Sequence, residues 1–373
     1  MRCIVKRSEF LDAFTLASRF AEKNSPKPIL RYVKMSASET ESRISATNLE
    51  TSVSMQINEI VTVYEPGDAL LECVVIGRLL SSLSDELVSI ETTGNSVVLS
   101  GARSRHTLPT EKPDDYPAIL PFLASDYYAV CGRSFAAASS RTTYATDPTC
   151  SRYAISGVLF EPSVSEMLFC ATDGRRIVTQ VTPMKVVGEP KPLESKTIVQ
   201  TKAMQLISDA IHNGNAESVC LELRDNEIAA LTGAITIRSR LVEGKFPDHK
   251  QMTSEKRCPP LCDITAGAVL SAAKRAWVTH SHGELGGISI KIENQKLFLS
   301  HQGSLGASEE ELPVACEAST ETIQINGDYL IESLRSVCAE DVLQFGFVGR
   351  MSALTLKSND GFLCLIMPQV PQE

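Results

Sequence analysis

The sequence predicts an α+β fold made of three copies of one domain, each with two helices backed by about eight short antiparallel strands. One observation is a motif that follows an apolar strand three times, as Ala46-Thr47-Asn48, Ala171-Thr172-Asp173 and Ser300-His301-Gln302. The copies lie about one third of the 373-residue chain apart, and each has an amphipathic pattern before and after it. A period this long indicates a domain, because solenoid units repeat at roughly 20–50 residues.

Apolar residues recur at helical spacing in six segments, and this pattern predicts two helices in each third. The predicted helices span about residues 8–23, 76–84, 133–145 and 202–212, with a fifth from Leu270 to Trp277 and a sixth from Tyr329 to Val337. Between them, apolar and polar residues alternate, as in 219–223 and 288–293, which is typical of half-buried strands. The repeat and a stretch rich in Pro and charge near 253–262 predict domains at residues 1–124, 125–253 and 254–373.

Composition places the chain among ordinary globular proteins, with 43% hydrophobic and 22% charged residues. The net charge of −9 argues only weakly against nucleic acid, since net charge does not tell where the charges lie. Charged residues interrupt the N-terminal segment, so no signal peptide is predicted, and no apolar run is long enough to span a membrane. The eleven cysteines lack zinc spacing. We therefore expect a cytoplasmic protein with free thiols and no membrane partner.

No motif for phosphate, dinucleotide or metalloprotease chemistry occurs in the chain. His280-Ser281-His282 has a spacing that suits a metal ion, but the sequence offers no apparent third ligand, so a polar loop is the simpler interpretation. Glu309-Glu310-Glu311 is most simply a solvated edge or face of a strand. The sequence thus predicts no catalytic residues, no metal site and no cofactor. Catalytic groups meet in space rather than in sequence, so an enzyme stays open as an alternative.

Four strings of residues, taken in order, carry a resemblance to a known family. They are Arg103–Leu108 leading to Asp114-Asp115-Tyr116-Pro117, Gly157–Phe160 followed by Ala171–Ile177, Ser239–Asp248, and Leu365-Ile366-Met367-Pro368. In this order and at this spacing they resemble the bacterial DNA polymerase III β subunit, the sliding clamp family, over the whole chain and all three repeats.

The resemblance implies a head-to-tail homodimer that forms a ring of six clamp domains around duplex DNA. Such a ring is a non-catalytic subunit of the polymerase holoenzyme that tethers the replicative polymerase, is opened by a clamp loader and binds other proteins with clamp-binding peptide motifs. The basic residues that would face the DNA without sequence specificity are Lys23, Arg78, Arg141, Lys202, Arg275 and Arg335. Basic residues on helices are also compatible with simple solvated faces. The strand containing His106 and Leu108 would lie at the dimer interface.

The resemblance also implies an apolar groove for short peptides between the middle and last domains. Its residues would be Ile155, Thr172, Gly174, Arg175, Arg176, Ile177, Pro247, Met252, Tyr329, Met351, Leu365, Ile366, Met367 and Pro368. We expect the stem of Arg176 to line the groove while its guanidinium stays in water. The chain departs from the family at Arg175, where several relatives carry His, and in the extra residues after Pro368. The alternatives are a three-domain adaptor that binds peptides without enclosing DNA, and a DNA-modifying enzyme.

Overall fold

The computed structural model describes residues 1–22, 24–150, 154–190, 197–214, 216–253, 260–281, 283–284 and 286–369. Contacts between residues divide the chain into two compact units. Unit 1 contains Met1–Gly132, Val186–Pro192 and Leu206–Leu241, and unit 2 contains Arg133–Lys185, Leu193–Gln205 and Val242–Glu373. Among the described residues, no helix is both long enough and apolar enough to cross a membrane.

The strands are short and are numbered here in chain order. They are β1 Arg2–Lys6, β2 Tyr32–Ala37, β3 Arg43–Thr47, β4 Thr51–Gln56, β5 Val61–Glu65, β6 Gly67–Glu72, β7 Leu87–Thr93, β8 Ser96–Ser100, β9 Arg105–Pro109, β10 Tyr127–Cys131, β11 Gly157–Pro162, β12 Glu166–Thr172, β13 Arg176–Val187, β14 Thr197–Gln200, β15 Ser218–Leu223, β16 Glu227–Thr232, β17 Ile235–Arg240, β18 Cys262–Thr265, β19 Ile288–Glu293, β20 Lys296–Gly303, β21 Gly306–Pro313, β22 Ile323–Ile325, β23 Val342–Gly346, β24 Leu354–Lys357 and β25 Phe362–Ile366. The helices are α1 Arg7–Ser18, α2 Cys73–Ser82, α3 Gly132–Thr142, α4 Thr201–Gly214, α5 His249–Met252, α6 Ala266–Ala276 and α7 Gly327–Arg335.

Unit 1 contains two antiparallel sheets. One has the strand order β5-β1-β7-β8-β9, and the other runs β10-β15-β16-β17-β4-β3-β2-β6. The second sheet joins strands from the first and second thirds of the chain, since β17 pairs with β4 from Ile235↔Met55 to Ser239↔Thr51. A continuous sheet of this kind satisfies the backbone groups of both contributing edges.

Unit 2 repeats this plan with strands from the second and last thirds of the chain. Its long sheet has the order β18-β23-β24-β25-β13-β12-β11-β14, and its short sheet has the order β21-β20-β19-β22. The joint lies where β13 pairs with β25, from Arg176↔Ile366 to Gln180↔Phe362. In both units, therefore, a long antiparallel sheet joins strands from two different thirds of the chain.

Amphipathic helices cover these sheets with their apolar faces. In unit 1, α1 packs on α2 and on strands β2 to β4, and it buries Phe10, Phe14 and Ala17. In unit 2, α6 packs on α7 and on β20 and β21. The buried side of α7 contains Leu330 and Leu334. Burying such a stripe is what stabilises a short helix, because isolated helices of this length are marginal in water.

The six predicted helices are all present, and their limits differ from the prediction by a few residues. The largest difference is in α1, which ends at Ser18 instead of continuing to residue 23. There the backbone tightens into i to i−3 hydrogen bonds, from Arg19 N–H to Leu16 O and from Phe20 N–H to Ala17 O. The predicted helical position of Lys23 lies outside the described residues. Glu309–Glu311 lies in β21, a strand at the end of its sheet, which agrees with the predicted solvated edge or face of a strand.

The repeated motif forms the same hydrogen-bonded turn in its first two copies. Thr47 Oγ1 donates to Thr51 O, and Asn48 Oδ1 accepts from the backbone N–H of Thr51. In the second copy Thr172 Oγ1 donates to Arg176 O, and Asp173 Oδ1 accepts from the backbone N–H of Arg176. The third residue of each turn has a positive φ, 75° at Leu49 and 84° at Gly174. A short side-chain acceptor after the threonine thus closes both turns.

Candidate functional site

The candidate site lies in unit 2, where strand β13 leaves the second turn and meets β25. The pairs Arg176↔Ile366 and Ile177↔Leu365 bring the second third of the chain beside its C-terminal strand. β24 continues the sheet through Leu354↔Ile366 and Thr355↔Leu365. After β25 the chain stays close to the turn, since Met367 N–H donates to Arg175 O at 2.9 Å.

An apolar cluster forms the floor of this site. Its buried members are Ala154, Leu159, Cys170, Ile177, Ile198, Phe246 and Leu365, with Val242, Met252, Ala353 and Leu363 packed against them half-buried. Ile177, Met252 and Leu365 are thus brought together as the sequence predicts. Val242, Phe246, Ala353 and Leu363 were missed, although Val242 and Phe246 lie inside one of the four strings that carry the resemblance. Sequence reasoning overlooked them because an apolar residue type does not show by itself which surface or cluster the side chain will join.

Large apolar side chains stay in contact with solvent next to this floor. Met351 and Met367 are 62% and 53% exposed. Pro247, Tyr329 and Pro368 are half-buried. In contrast, Ile155 and Ile366 are buried, so they support the cluster and do not face solvent. Exposed methionines adapt their shape to different apolar ligands, which suits a surface that receives short peptides.

Arg176 is the central polar residue of the site, and its position corrects the prediction. Its side chain is only 5% exposed, so the guanidinium is not in water. It donates to Asp173 Oδ2 at 3.0 Å and to Tyr144 O at 2.9 Å, and it forms an ion pair with Glu332 at 2.7 Å. The rings of Tyr144 and Tyr329 lie 4.8 and 4.4 Å from its guanidinium carbon. These two carboxylates, one carbonyl and two tyrosine rings form a cage that suits a planar cation with five donors. A guanidinium in water would not need such partners.

The charge of Arg176 is secured by its neighbours. Burial disfavours the charged guanidinium, but Glu332 and Asp173 outweigh this effect and raise the pKa of Arg176. Burial also raises the pKa of Tyr144 well above its ordinary value, so the ring next to the cation stays neutral. Arg175, one residue earlier, is exposed and forms the rim. The two adjacent arginines therefore have different roles, one structural and one at the surface.

The basic residues expected to face DNA fall into four classes, and the buried Arg141 is the last of them. Arg78 in unit 1 and Lys202 and Arg335 in unit 2 are exposed on their helices. Arg275 is exposed too, but it is held by Glu310 through two hydrogen bonds. Lys23 lies outside the described residues.

Arg141 corrects the prediction for this set. Its side chain is 7% exposed and binds Asp341 and Asp360, and it donates to Gln180 Oε1 at 2.9 Å. The sequence places Arg141 on the polar side of a helix, but carboxylates from distant segments neutralise it there. A cation that is 7% exposed and held by two carboxylates is not available to a phosphate, so Arg141 is a structural residue.

Two edge strands, β9 in unit 1 and β21 in unit 2, expose charges of opposite sign. In unit 1, β9 pairs with β8 and, within the described chain, with no other strand; Arg105 is exposed there and His106 and Leu108 are half-buried. In unit 2, β21 pairs only with β20 among the described strands, and Glu309 and Glu311 are exposed on it. An exposed edge of this kind is a template for pairing with another chain.

The chain is similar to known proteins of one family over nearly its whole length. Residues 1–120 match the model of the DNA polymerase III beta subunit N-terminal domain, and residues 130–248 match that of its central domain. The beta sliding clamp of Pseudomonas aeruginosa PAO1 is 24% identical over 371 residues, and that of Staphylococcus aureus Mu50 is 23% identical over 379 residues. In both comparisons 99% of each chain is covered.

Solved structures agree on the fold. The DNA polymerase sliding clamp of Bacillus subtilis has a TM-score of 0.90 at 16% identity, with all of both chains covered. A Pseudomonas aeruginosa sliding clamp bound to griselimycin has a TM-score of 0.89 at 22% identity, again with full coverage of both chains. With two successive domain models, full-length relatives and the fold in agreement, the chain belongs to the DNA polymerase III beta subunit family, the beta sliding clamps.

Proposed function

We propose that this chain is a processivity factor that closes as a head-to-tail dimer around duplex DNA and tethers the replicative polymerase. The observation that carries the proposal is the consecutive match of two beta-subunit domain models to a chain with the fold of whole sliding clamps. Its three clamp domains would span residues 1–124, 125–253 and 254–373. It would act by topology and would catalyse no reaction itself.

The two charged edges support the dimer. β9 offers Arg105, preceded by the exposed Arg103, and β21 offers Glu309 and Glu311. Pairing β9 of one chain with β21 of a second would satisfy both edges and oppose unlike charges. The double variant Arg103→Glu/Arg105→Glu should weaken the dimer by about tenfold or more, because like charges would then meet. Sedimentation equilibrium measures the change, and reversing Glu309 and Glu311 to Lys in the partner should restore the dimer.

The exposed residues Arg78, Lys202 and Arg335 support weak contact with DNA. Each phosphate contact contributes only about 0.9 to the salt slope on duplex DNA, so a few contacts allow the ring to slide. The decisive experiment loads the protein on a nicked circular plasmid with a clamp loader and then linearises the plasmid. Retention on the circle followed by release from the linear form supports an enclosing ring. Equal retention on both forms would indicate adhesion and would refute the clamp function.

The apolar surface with Met351 and Met367 supports binding of short peptides from the polymerase, the loader and other partners. A peptide of five or six residues buries little area, so micromolar affinity is expected for one site. Met351→Ser and Met367→Ser should each weaken binding of a fluorescent C-terminal peptide from the polymerase. Val164→Ser is the matched control, because Val164 is equally apolar and 92% exposed but lies in the turn at the other end of β12. If all three variants bind alike, the peptide uses another surface.

A further inference from the structure

We infer that His280, Glu284 and His301 form a binding site for a divalent first-row transition-metal ion. One ring nitrogen of each histidine and a carboxylate oxygen of Glu284 lie within 4.8 Å of one another. Ligands of one such ion are about 3.5 Å apart when each is about 2.0–2.2 Å from it, so a small side-chain rotation completes the geometry. The sequence suggested only His280 and His282 here. His301 lies in strand β20, and nothing in the sequence indicates that this strand packs beside the loop that contains His280 and Glu284.

His301 is held in the form that binds a metal. Its side chain is 4% exposed, and its Nδ1 lies 3.1 Å from Gly287 O. A carbonyl oxygen only accepts, so the neutral ring has its hydrogen on Nδ1 and a lone pair on Nε2. This Nε2 is buried and has no hydrogen-bond partner among the described residues, and the same is true of His280 Nδ1. A histidine that donates its other N–H to a backbone carbonyl is the usual arrangement of a metal ligand.

Space for the ion lies next to Gly303. A Cβ atom placed on this glycine would be 2.8 Å from His301 Nε2 and 3.0 Å from Glu284 Oε2. It would also be 2.5 Å from the backbone oxygen of Thr279, a further oxygen that faces the same space. The absence of a side chain at residue 303 therefore leaves a small volume lined by nitrogen and oxygen atoms.

The other two groups are also held in place. The ring of His280 stacks on Trp277 with centroids 3.9 Å apart, and Trp277 Nε1 donates to Asp328 Oδ1 at 3.0 Å. Glu284 accepts hydrogen bonds from the backbone N–H groups of Ser281 and Ser304 at 3.0 and 2.7 Å. Two imidazoles and one carboxylate favour zinc, nickel, cobalt or copper over magnesium and calcium, which prefer sites made of oxygen alone.

The only tryptophan of the chain, Trp277, is a direct probe because it touches both histidine rings. We would strip the full-length protein with a chelator and titrate it with NiCl2 while recording tryptophan fluorescence. The site predicts saturable quenching that ZnCl2 reverses by competition and that a large excess of MgCl2 leaves unchanged. Quenching that MgCl2 reverses as well as ZnCl2 does would overturn the assignment.

Three variants test the ligands. His301→Ala and Glu284→Gln should each weaken Ni²⁺ binding by at least about tenfold, as loss of groups at metal sites does. His212→Ala, which removes an exposed histidine of α4, should leave binding unchanged. Circular dichroism shows whether each variant is folded. If the buried His301→Ala variant does not fold, the Ni²⁺ affinity of Glu284→Gln tests the site. Unchanged binding in a folded ligand variant, or loss of binding in His282→Ala alone, would refute the site.

Discussion

Replacing the buried Arg176 with methionine should destabilise unit 2, whereas the same change at the adjacent Arg175 should not. Arg176 is 5% exposed and pairs with Asp173, which is 13% exposed, whereas Arg175 lies at the surface. Methionine keeps the apolar stem and removes the cation, so the comparison isolates the charge and its hydrogen bonds. Both variants have the same composition, which makes Arg175→Met a matched control.

The magnitude follows from the partners that would be left behind. Removing one member of a buried ion pair costs about 3–5 kcal/mol. Asp173 would keep its hydrogen bonds from the backbone N–H groups of Arg175 and residue 176, and Glu332 is 46% exposed and can be hydrated. Because of these two compensations, we expect Arg176→Met to lower the free energy of unfolding by about 3 kcal/mol, the lower end of that range. Surface substitutions such as Arg175→Met stay within about 0.5 kcal/mol.

Urea unfolding followed by circular dichroism measures the difference. With an m-value of about 3 kcal/mol/M, Arg176→Met should lower the midpoint by about 1 M, and Arg175→Met should leave it near the wild-type value. Thermal unfolding should rank the three proteins in the same order. If the two variants unfold at the same urea concentration, the cage around Arg176 does not stabilise the fold and our reasoning about its burial is wrong.

Three further outcomes are expected. Burial alone raises the pKa of Asp360, but hydrogen bonds from Ser358 and Arg141 outweigh this effect and lower that pKa. The stability that the charged carboxylate contributes is therefore full above about pH 4 and is lost as the pH falls through the folded-state pKa. Asp360→Asn should thus flatten the decline of the melting temperature in acid. Leu49→Gly should raise the melting temperature. The change relieves about 1–2 kcal/mol of left-handed backbone strain at φ 75°, which exceeds the cost of about 0.5–1 kcal/mol for the greater entropy of glycine in the unfolded chain. A lower melting temperature would contradict this. Gly174→Ala should lower the melting temperature, because alanine would be strained at the φ of 84° that glycine adopts there. The added Cβ meets no atom within 4 Å, so a steric clash does not contribute to the effect. An unchanged melting temperature would count against this prediction.

Local patterns were sufficient for most of the fold. The helices follow from apolar residues three and four positions apart, and the short strands follow from alternation, because both patterns describe which side of a single element is buried. The turn at Thr172-Asp173-Gly174 was equally readable, since an Asp followed by Gly closes a turn with its own neighbours. The end of α1 at Ser18 could not be predicted, because the amphipathic pattern of the sequence continues past it. Arg19 and Phe20 leave the α-helix through tighter i to i−3 hydrogen bonds.

By itself, the sequence determined the repeat, the α+β class and the apolar strings that carry the family resemblance, because these are properties of neighbouring residues. Only the tertiary structure decided the state of individual charged groups. Arg141 and Arg176 are buried by carboxylates from other segments, Asp341 and Glu332 among them. His301 reaches His280 and Glu284 in the same way, across a strand pairing. The physical reason is that burial and hydrogen bonding depend on which distant segments meet, and periodicity within one segment does not contain that information.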